Sequence, residues 1–268
     1  MAIPAGGSAT NPIHCGVIGN PIEHSQSPNI HLSFAKQFDL DLNYQKYLVD
    51  PADLKSFVVD FFNHGGTGLN VTLPFKQDLI KIVGNISDES KLCQSVNTLY
   101  LNNKNEICGD TTDGKGLLED LKLKQFNITN KHILIIGAGG ATTSILYALM
   151  QAGAIVTLHN RTLSKIEKIK NNFSIIGNID IYSENNHQIY DGVITATSQF
   201  NSNLLSPLLK NTHTDTFIYD INYKERADET LNFFKDNGVN RCSDGYGMLI
   251  AQAAKSFEIW HGVLPKIN

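Results

Sequence analysis

Five short segments hold side chains able to do chemistry. Gly68-Leu69-Asn70-Val71-Thr72-Leu73-Pro74-Phe75-Lys76 reads as a strand followed by a helix opened by Pro74. That places Lys76 in a first helical turn, where the helix dipole disfavours a cation. Such a lysine either points into solvent or, with its ammonium destabilised, exchanges protons near neutral pH. Asn70 and Thr72 alternate onto one face of the strand and offer amide and hydroxyl groups suited to a polyol. In Gly109-Asp110-Thr111-Thr112-Asp113-Gly114, Asp113 opens another helix. Its carboxylate either caps that helix or steadies an ammonium such as that of Lys76.

Gly19-Asn20-Pro21-Ile22-Glu23-His24-Ser25-Gln26-Ser27-Pro28 sets Ser27 as an N-cap and Pro28 as the first helical residue. Two readings stand equal there: a capped helix, or paired hydroxyls at a helix opening that suit a carboxylate. His24 and His31 lack a metal-ligand spacing and read as structural, so no metal is expected.

Ile133-Leu134-Ile135-Ile136 runs into Gly137-Ala138-Gly139-Gly140-Ala141 and a helical pattern, the strand, turn and helix start that a dinucleotide pyrophosphate requires. The next strand ends at His159-Asn160-Arg161-Thr162, where an NAD enzyme carries an acidic residue for the ribose hydroxyl. Arg161, with Lys165 a turn later, suits a 2′-phosphate, so the expected cofactor is NADP.

The elements that position these groups alternate between short β-type runs and helical patterns throughout, an α/β arrangement around mostly parallel sheets. Ile30, Phe34 and Phe38 share one helical face, and Leu54, Phe57, Val58, Phe61 and Phe62 another that stops at Gly65-Gly66. Val96 to Cys108 reads as a hairpin over Asn102 to Asn105. Strand-length runs at 133–136, 155–159, 179–182, 193–196 and 217–220 describe a doubly wound Rossmann-like domain. The final helix, from about Met248 to His261, returns to the first half. The expected organisation is a discontinuous α/β substrate-binding domain, 1–112 and 246–268, with an inserted NADP-binding domain, 113–245.

Composition sets the outer limits. The 268 residues are 41% hydrophobic and 18% charged, enough apolar side chain for one large or two modest cores. A formal charge of −4 without a basic cluster disfavours nucleic acid. Cys15, Cys93, Cys108 and Cys242 are scattered without a CxxC pair, which fits a reducing, cytoplasmic setting better than a disulfide framework. Met1 to Pro12 reads as a loose leader and not as a secretory signal. Ile133 to Leu158 lacks charge and is long enough to span a membrane, but its glycines and hydroxyls divide it into a buried βαβ unit.

Together these segments resemble the shikimate dehydrogenases, nearly throughout from Gly16 to Pro265. The resemblance rests on Gly19-Asn20-Pro21-Ile22, His24-Ser25, Ser27-Pro28, Asn70-Val71-Thr72, Pro74-Phe75-Lys76 and Val96-Asn97-Thr98 in the first half. It continues in Thr112-Asp113-Gly114, the glycine turn, Asn160-Arg161-Thr162, Ala196-Thr197-Ser198, Asp244-Gly245-Tyr246-Gly247-Met248 and Gln252-Ala253. It implies reversible reduction of 3-dehydroshikimate to shikimate with NADPH, in aromatic amino-acid biosynthesis. It further implies that Ser25 and Ser27, assisted by Tyr223, bind the substrate carboxylate, that Asn70, Thr72, Asn97 and Gln252 bind ring oxygens, and that Lys76 and Asp113 form the catalytic pair. Thr197 and Gly245 join the glycine turn, Asn160, Arg161, Thr162 and Lys165 on the cofactor. The expected partner is a small molecule, with neither nucleic acid nor membrane, and the chain is a monomer or homodimer. Gln94-Ser95, Thr111 and Phe200 depart from the family pattern of Gly-Ala, Asn and Gly. A quinate/shikimate dehydrogenase using NAD, and a non-catalytic ligand sensor, are the alternative readings.

Overall fold

In the computed structural model, residues 12–267 are described; the leader expected over Met1 to Pro12 lies, apart from Pro12, outside them. The chain divides into two compact units, Met1–Thr112 with Gln252–Asn268, and Asp113–Ala251. The return to the first unit falls at 251/252, inside the last helix, whereas the sequence places it at 245/246.

The elements of the first unit are β1 (Ile13–Gly19), α1 (Ser27–Lys36), β2 (Leu42–Leu48), α2 (Leu54–Asn63), β3 (Gly66–Val71), α3 (Leu79–Ile82), β4 (Asn85–Ile86), α4 (Asp88–Cys93), β5 (Thr98–Leu101) and β6 (Ile107–Asp110). They build a sheet in the order β2-β1-β3-β5-β6-β4. β5 runs antiparallel to both its neighbours, while β1 is parallel to β2 and β3. The β5–β6 pair is the anticipated hairpin, closed by Asn102, whose Oδ1 accepts from Lys104 N and Glu106 N. Ile18, Val58, Leu69, Phe75, Leu79, Val96 and Leu99 form a buried cluster behind the sheet.

The second unit contains α5 (Asp113–Leu123), β7 (His132–Ile136), α6 (Gly140–Gln151), β8 (Ile155–His159), α7 (Leu163–Phe173), β9 (Asp180–Ile181), β10 (Gly192–Thr195), α8 (Ser202–Leu205), β11 (Phe217–Asp220), α9 (Glu225–Asp236) and β12 (Arg241–Asp244), and α10 (Tyr246–His261) begins in it. Its sheet order is β12-β11-β10-β7-β8-β9, parallel at every pairing. This is the doubly wound order, with the strand sequence reversing between β7 and β10. The uncharged run from Ile133 is the β7-α6-β8 unit. No helix among the described residues is long and apolar enough to cross a membrane.

Two local expectations are corrected. Ser27 is not the N-cap of α1: Gln26 holds that position, and Ser25 Oγ, two residues back, accepts from Ser27 N at 3.3 Å. Pro74 does not open a helix. Lys76 O accepts from Val96 N at 2.8 Å, and Ile80 N turns instead to Gln77 O at 3.3 Å, so residues 73–78 form turns and helix begins only at Leu79. Lys76 therefore does not sit in a first helical turn. Its loop is pinned by Phe75, whose side chain is fully buried.

Two of the departures from the family pattern, Gln94 and Phe200, have a local setting. Gln94 ends α4 in the left-handed region, φ 52°, a conformation glycine adopts without strain. Phe200 leans on Phe233 with ring centroids 5.8 Å apart and so anchors the loop after β10 to the core.

One aromatic cluster in the first unit buries two imidazoles. His31 stacks on Tyr44 at 4.5 Å and lies 5.0 Å from Trp260, while His261 lies 4.3 Å from Phe257. Burial pushes the His31 pKa down to about 3 and that of His261 down to about 4. Both rings are neutral when folded and regain the ordinary value near 6.5 when unfolded. Below about pH 6.5 the unfolded chain binds more protons, so stability is complete above that pH and falls as pH drops towards 4. In urea unfolding followed against pH, the H261Q variant is expected to show a shallower acid limb than the parent. An identical slope would locate the acid sensitivity elsewhere.

Candidate active site

In the first unit, side chains from distant segments converge beside the C-terminal ends of β1 and β3. The loop after β1 is shaped by Ser25 N donating to Ile22 O at 3.1 Å and Lys46 Nζ donating to Glu23 O at 2.6 Å. It sets the Ser25 and Ser27 hydroxyls 3.2 Å apart at the opening of α1. Thr72 follows β3, half-buried, with its backbone N donating to Ile18 O at 3.0 Å. The Lys76 loop meets the segment before β5 through the bond from Val96, one residue from Asn97.

Asn97 is 2% exposed, and its amide is held at both ends. Oδ1 accepts from Thr112 N at 2.9 Å, and Nδ2 donates to Thr112 Oγ1 at 2.9 Å and Gln252 Oε1 at 3.2 Å. Asn70 is 5% exposed; Tyr44 Oη donates to its Oδ1 at 2.8 Å, and its Nδ2 donates to Asn97 O at 3.2 Å and Ser256 Oγ at 2.9 Å. Thus Asn70, Asn97 and Gln252, drawn from the whole span of the unit, share one network, and Ser25, Ser27, Thr72 and Lys76 stand on its adjoining loops. Tyr44, Thr98, Thr112 and Ser256 were not singled out as site residues. Ser256 follows Gln252 by four residues, the spacing that puts two helical residues on one face.

In the second unit, Asp113 is the first residue of α5 and is 4% exposed. The glycine turn sits at the C-terminal end of β7, beside the point where strand order reverses. Gly137 has φ 126°, and a Cβ there would lie 2.6 Å from Ala196 O, so only glycine lets β7 and β10 run this close. At Gly139, just before α6, a Cβ would meet nothing within 4 Å. The space over the N-terminal amides of α6 is therefore open, with Ala138, Gly140 and Ala141 around it. Those amides, uncovered by side chain, match the requirement of a bound pyrophosphate.

Asn160 Nδ2 donates to Thr162 O at 3.1 Å, and Arg161 and Lys165 are exposed at the end of β8 and the start of α7. Across the sheet, Asn222 Nδ2 donates to Thr197 O at 2.8 Å, and Asn222 O accepts from Gly245 N at 2.8 Å. One residue, through its side chain and its backbone carbonyl, thereby ties the loops after β10, β11 and β12; sequence reasoning had no signal for it. Tyr223 is next in the chain, half-buried, its ring 6.0 Å from Tyr246. Among the described residues, no three His, Cys, Asp or Glu side chains gather as metal ligands would.

Family profiles match across the chain. The shikimate dehydrogenase substrate binding domain matches residues 17–99, shikimate / quinate 5-dehydrogenase residues 120–233, and the shikimate 5'-dehydrogenase C-terminal domain residues 245–267. The shikimate dehydrogenase (NADP(+)) of Buchnera aphidicola subsp. Baizongia pistaciae is 39% identical, covering 94% of this chain and 92% of its own length. The chain belongs to the shikimate dehydrogenase family. The Colwellia psychrerythraea enzyme of the same name is also 39% identical over 94% of this chain and 92% of its own. The crystal structure of shikimate dehydrogenase from Aquifex aeolicus superposes with a TM-score of 0.83 at 30% identity, over 95% of this chain and 94% of that one. The Thermus thermophilus shikimate 5-dehydrogenase solved with NADP(H) and shikimate shares the fold, with a TM-score of 0.84 at 24% identity over 95% of each chain.

Because Gly139 stands in open space with extended backbone, Gly139→Ala is expected to change stability by at most about 1 kcal/mol, the cost of alanine at an N-cap. Its methyl enters the space over the α6 amides, so the NADP Kd should rise about tenfold or more. Unchanged NADP affinity in a titration would show that the pyrophosphate does not lie there.

Proposed function

We propose that this protein catalyses the reversible, NADPH-dependent reduction of 3-dehydroshikimate to shikimate in aromatic amino-acid biosynthesis, in the cytoplasm, as a monomer or homodimer. The observation that carries this reading is the convergence in the first unit of Asn97, Gln252 and the Lys76 loop from three separate stretches of chain, in a protein whose relatives bear that activity in their names.

The substrate is a hydroxylated ring bearing one carboxylate. Ser25 and Ser27 supply hydroxyl donors at a helix opening, where the dipole favours an anion, with Tyr223 as a third donor. Thr72 and Gln252, the latter held by Asn97, match the ring oxygens. Lys76 donates a proton to the substrate carbonyl oxygen in reduction and accepts it from the hydroxyl in oxidation. The Asp113 carboxylate holds the ammonium in the orientation that transfer needs. Bound NADPH supplies the hydride, from C4 of its nicotinamide. The chain's part is to hold that cofactor: Gly137, Ala138, Gly139, Gly140 and Ala141 take the pyrophosphate, Asn160, Arg161, Thr162 and Lys165 the phosphorylated ribose, and Thr197 and Gly245 the nicotinamide side.

The reading is tested with shikimate and quinate, each with NADP and NAD, followed by absorbance of the reduced cofactor. Turnover is expected to be greatest with shikimate and NADP; folded protein inert in all four combinations overturns it. Lys76→Ala should lower kcat by about 10²-fold or more while NADP still binds, the contribution expected of general acid–base catalysis. Because paired residues act as a unit, adding Asp113→Asn to that variant should slow it little further. Losses that multiply would mean that the two residues do separate jobs.

Arg161 is exposed, and its guanidinium is the planar fork that recognises phosphate. Arg161→Ala should weaken NADP binding and leave NAD binding unchanged. Equal weakening of both cofactors would assign Arg161 to structure alone.

A further inference from the structure

The buried network of the first unit has a fixed direction. Asn97 O can only accept a hydrogen bond, so the end of the Asn70 amide facing it at 3.2 Å is Nδ2. The same Nδ2 donates to Ser256 Oγ at 2.9 Å. Ser256 Oγ lies 2.7 Å from Thr98 Oγ1, which donates to Asn97 Oδ1 at 2.8 Å. Thr112 N, which can only donate, points at that same Oδ1. Both backbone anchors therefore agree: protons run from Asn70 through Ser256 and Thr98 to Asn97 Oδ1.

The consequence emerges at the far end. With Oδ1 fixed inward, Asn97 Nδ2 faces Gln252 Oε1 at 3.2 Å. That turns the Gln252 carbonyl towards Asn97 and its NH₂ group the opposite way. Ser256 Oγ also lies 3.2 Å from Gln252 O, one helical turn back, but its single proton is committed to Thr98 and its link to Gln252 runs through Asn97. Ser256, Thr98, Asn70 and Asn97 are at most 5% exposed, whereas Gln252 is half-buried. The network thus has a dry end, where its polarity is set, and a wet end, where it can meet a ligand.

We propose that Ser256 is a positioning residue for substrate, which with Asn70 orients the Gln252 amide as a donor to a ring oxygen without touching the substrate itself. The inference rests on the shikimate reading above and gives Asn70 a supporting role in place of a substrate contact. Burial of Asn70 with both amide ends committed to protein partners is what such a role requires.

The test is a double-mutant cycle on the whole protein, read in shikimate Kd by calorimetry, shikimate KM, kcat and NADP Kd. Ser256→Ala should raise shikimate Kd and KM about tenfold, the usual effect of one misdirected hydrogen bond, with kcat within about twofold and NADP Kd unchanged. In a Gln252→Ala background the same substitution should add almost nothing, because the group it orients is gone. Ser256→Thr, which restores a hydroxyl, should recover most of the loss. An unchanged shikimate Kd in Ser256→Ala, parallel loss of NADP affinity, or full additivity in the Gln252→Ala background overturns the inference alone. Failure of the parent protein to bind or turn over shikimate overturns the functional reading, and the inference with it.

Discussion

Asn97 must satisfy every one of its polar groups inside a region closed to water, and the first unit is arranged around that demand. Its backbone N donates to Asp110 O at 3.0 Å and its backbone O accepts from Val71 N at 2.8 Å, so one residue joins the ends of β3 and β6. Its side chain reaches Thr112 and Gln252 at the same time. A buried amide left without partners costs about 1–3 kcal/mol per group, so β3, β6 and α10 are correlated through this single residue. The polar surface proposed for the substrate is, on this view, the outward edge of a network that exists first to make burial of Asn97 tolerable.

The second unit solves a related problem with Asn222. The loops after β10, β11 and β12 all lie at the C-terminal edge of a parallel sheet, where open α/β sheets bind their ligands. Loops there lack the regular ladder bonds of strands and need other partners to hold one conformation. Asn222 bonds Thr197 O, Asp220 Oδ1 and Gly245 N, one group in each loop or strand end. Phe200 adds an apolar anchor on the same wall. Less backbone freedom remains in that loop, so the nicotinamide proposed to bind beside it would meet a wall already in place.

What the sequence disclosed and what it hid follow from the range of each signal. The β7-α6-β8 unit was legible because a fully buried parallel strand is a continuous apolar run and the turn needs glycine, both short-range facts. β12 was not, because Arg241-Cys242-Ser243-Asp244 is an edge strand of mostly polar, partly exposed residues that pair on one side only. The helix expected from Pro74 was lost to a contact twenty residues away in sequence, the claim of Val96 N on Lys76 O. Local propensity cannot see such competition. Family motifs located Asn70, Asn97 and Gln252, but the hydroxyls of Thr98 and Ser256 that connect them look like ordinary strand and helix residues until the fold brings them within 2.7 Å.

Asp120 shows how the same logic reaches Asp113. It is a carboxylate 3% exposed on α5, accepting from Tyr219 Oη at 2.5 Å, with Lys124 Nζ at 3.5 Å. Burial and the adjacent carboxylate together push the Tyr219 phenol far above its usual pKa, so it remains a donor at any ordinary pH. The carboxylate also lies against Gly247, where any Cβ would collide with Asp120 Oδ1. One buried carboxyl group is therefore packed between a core strand and the first turn of α10. Asp113 and Asp120 are seven residues apart, about two helical turns, and so lie on the same face of α5. Fixing Asp120 against β11 fixes the rotation of α5 about its axis, and that rotation decides the direction in which the Asp113 carboxylate leaves the helix. The need to pair a buried acid in the core of the second unit thereby sets the orientation of the acid proposed to work with Lys76.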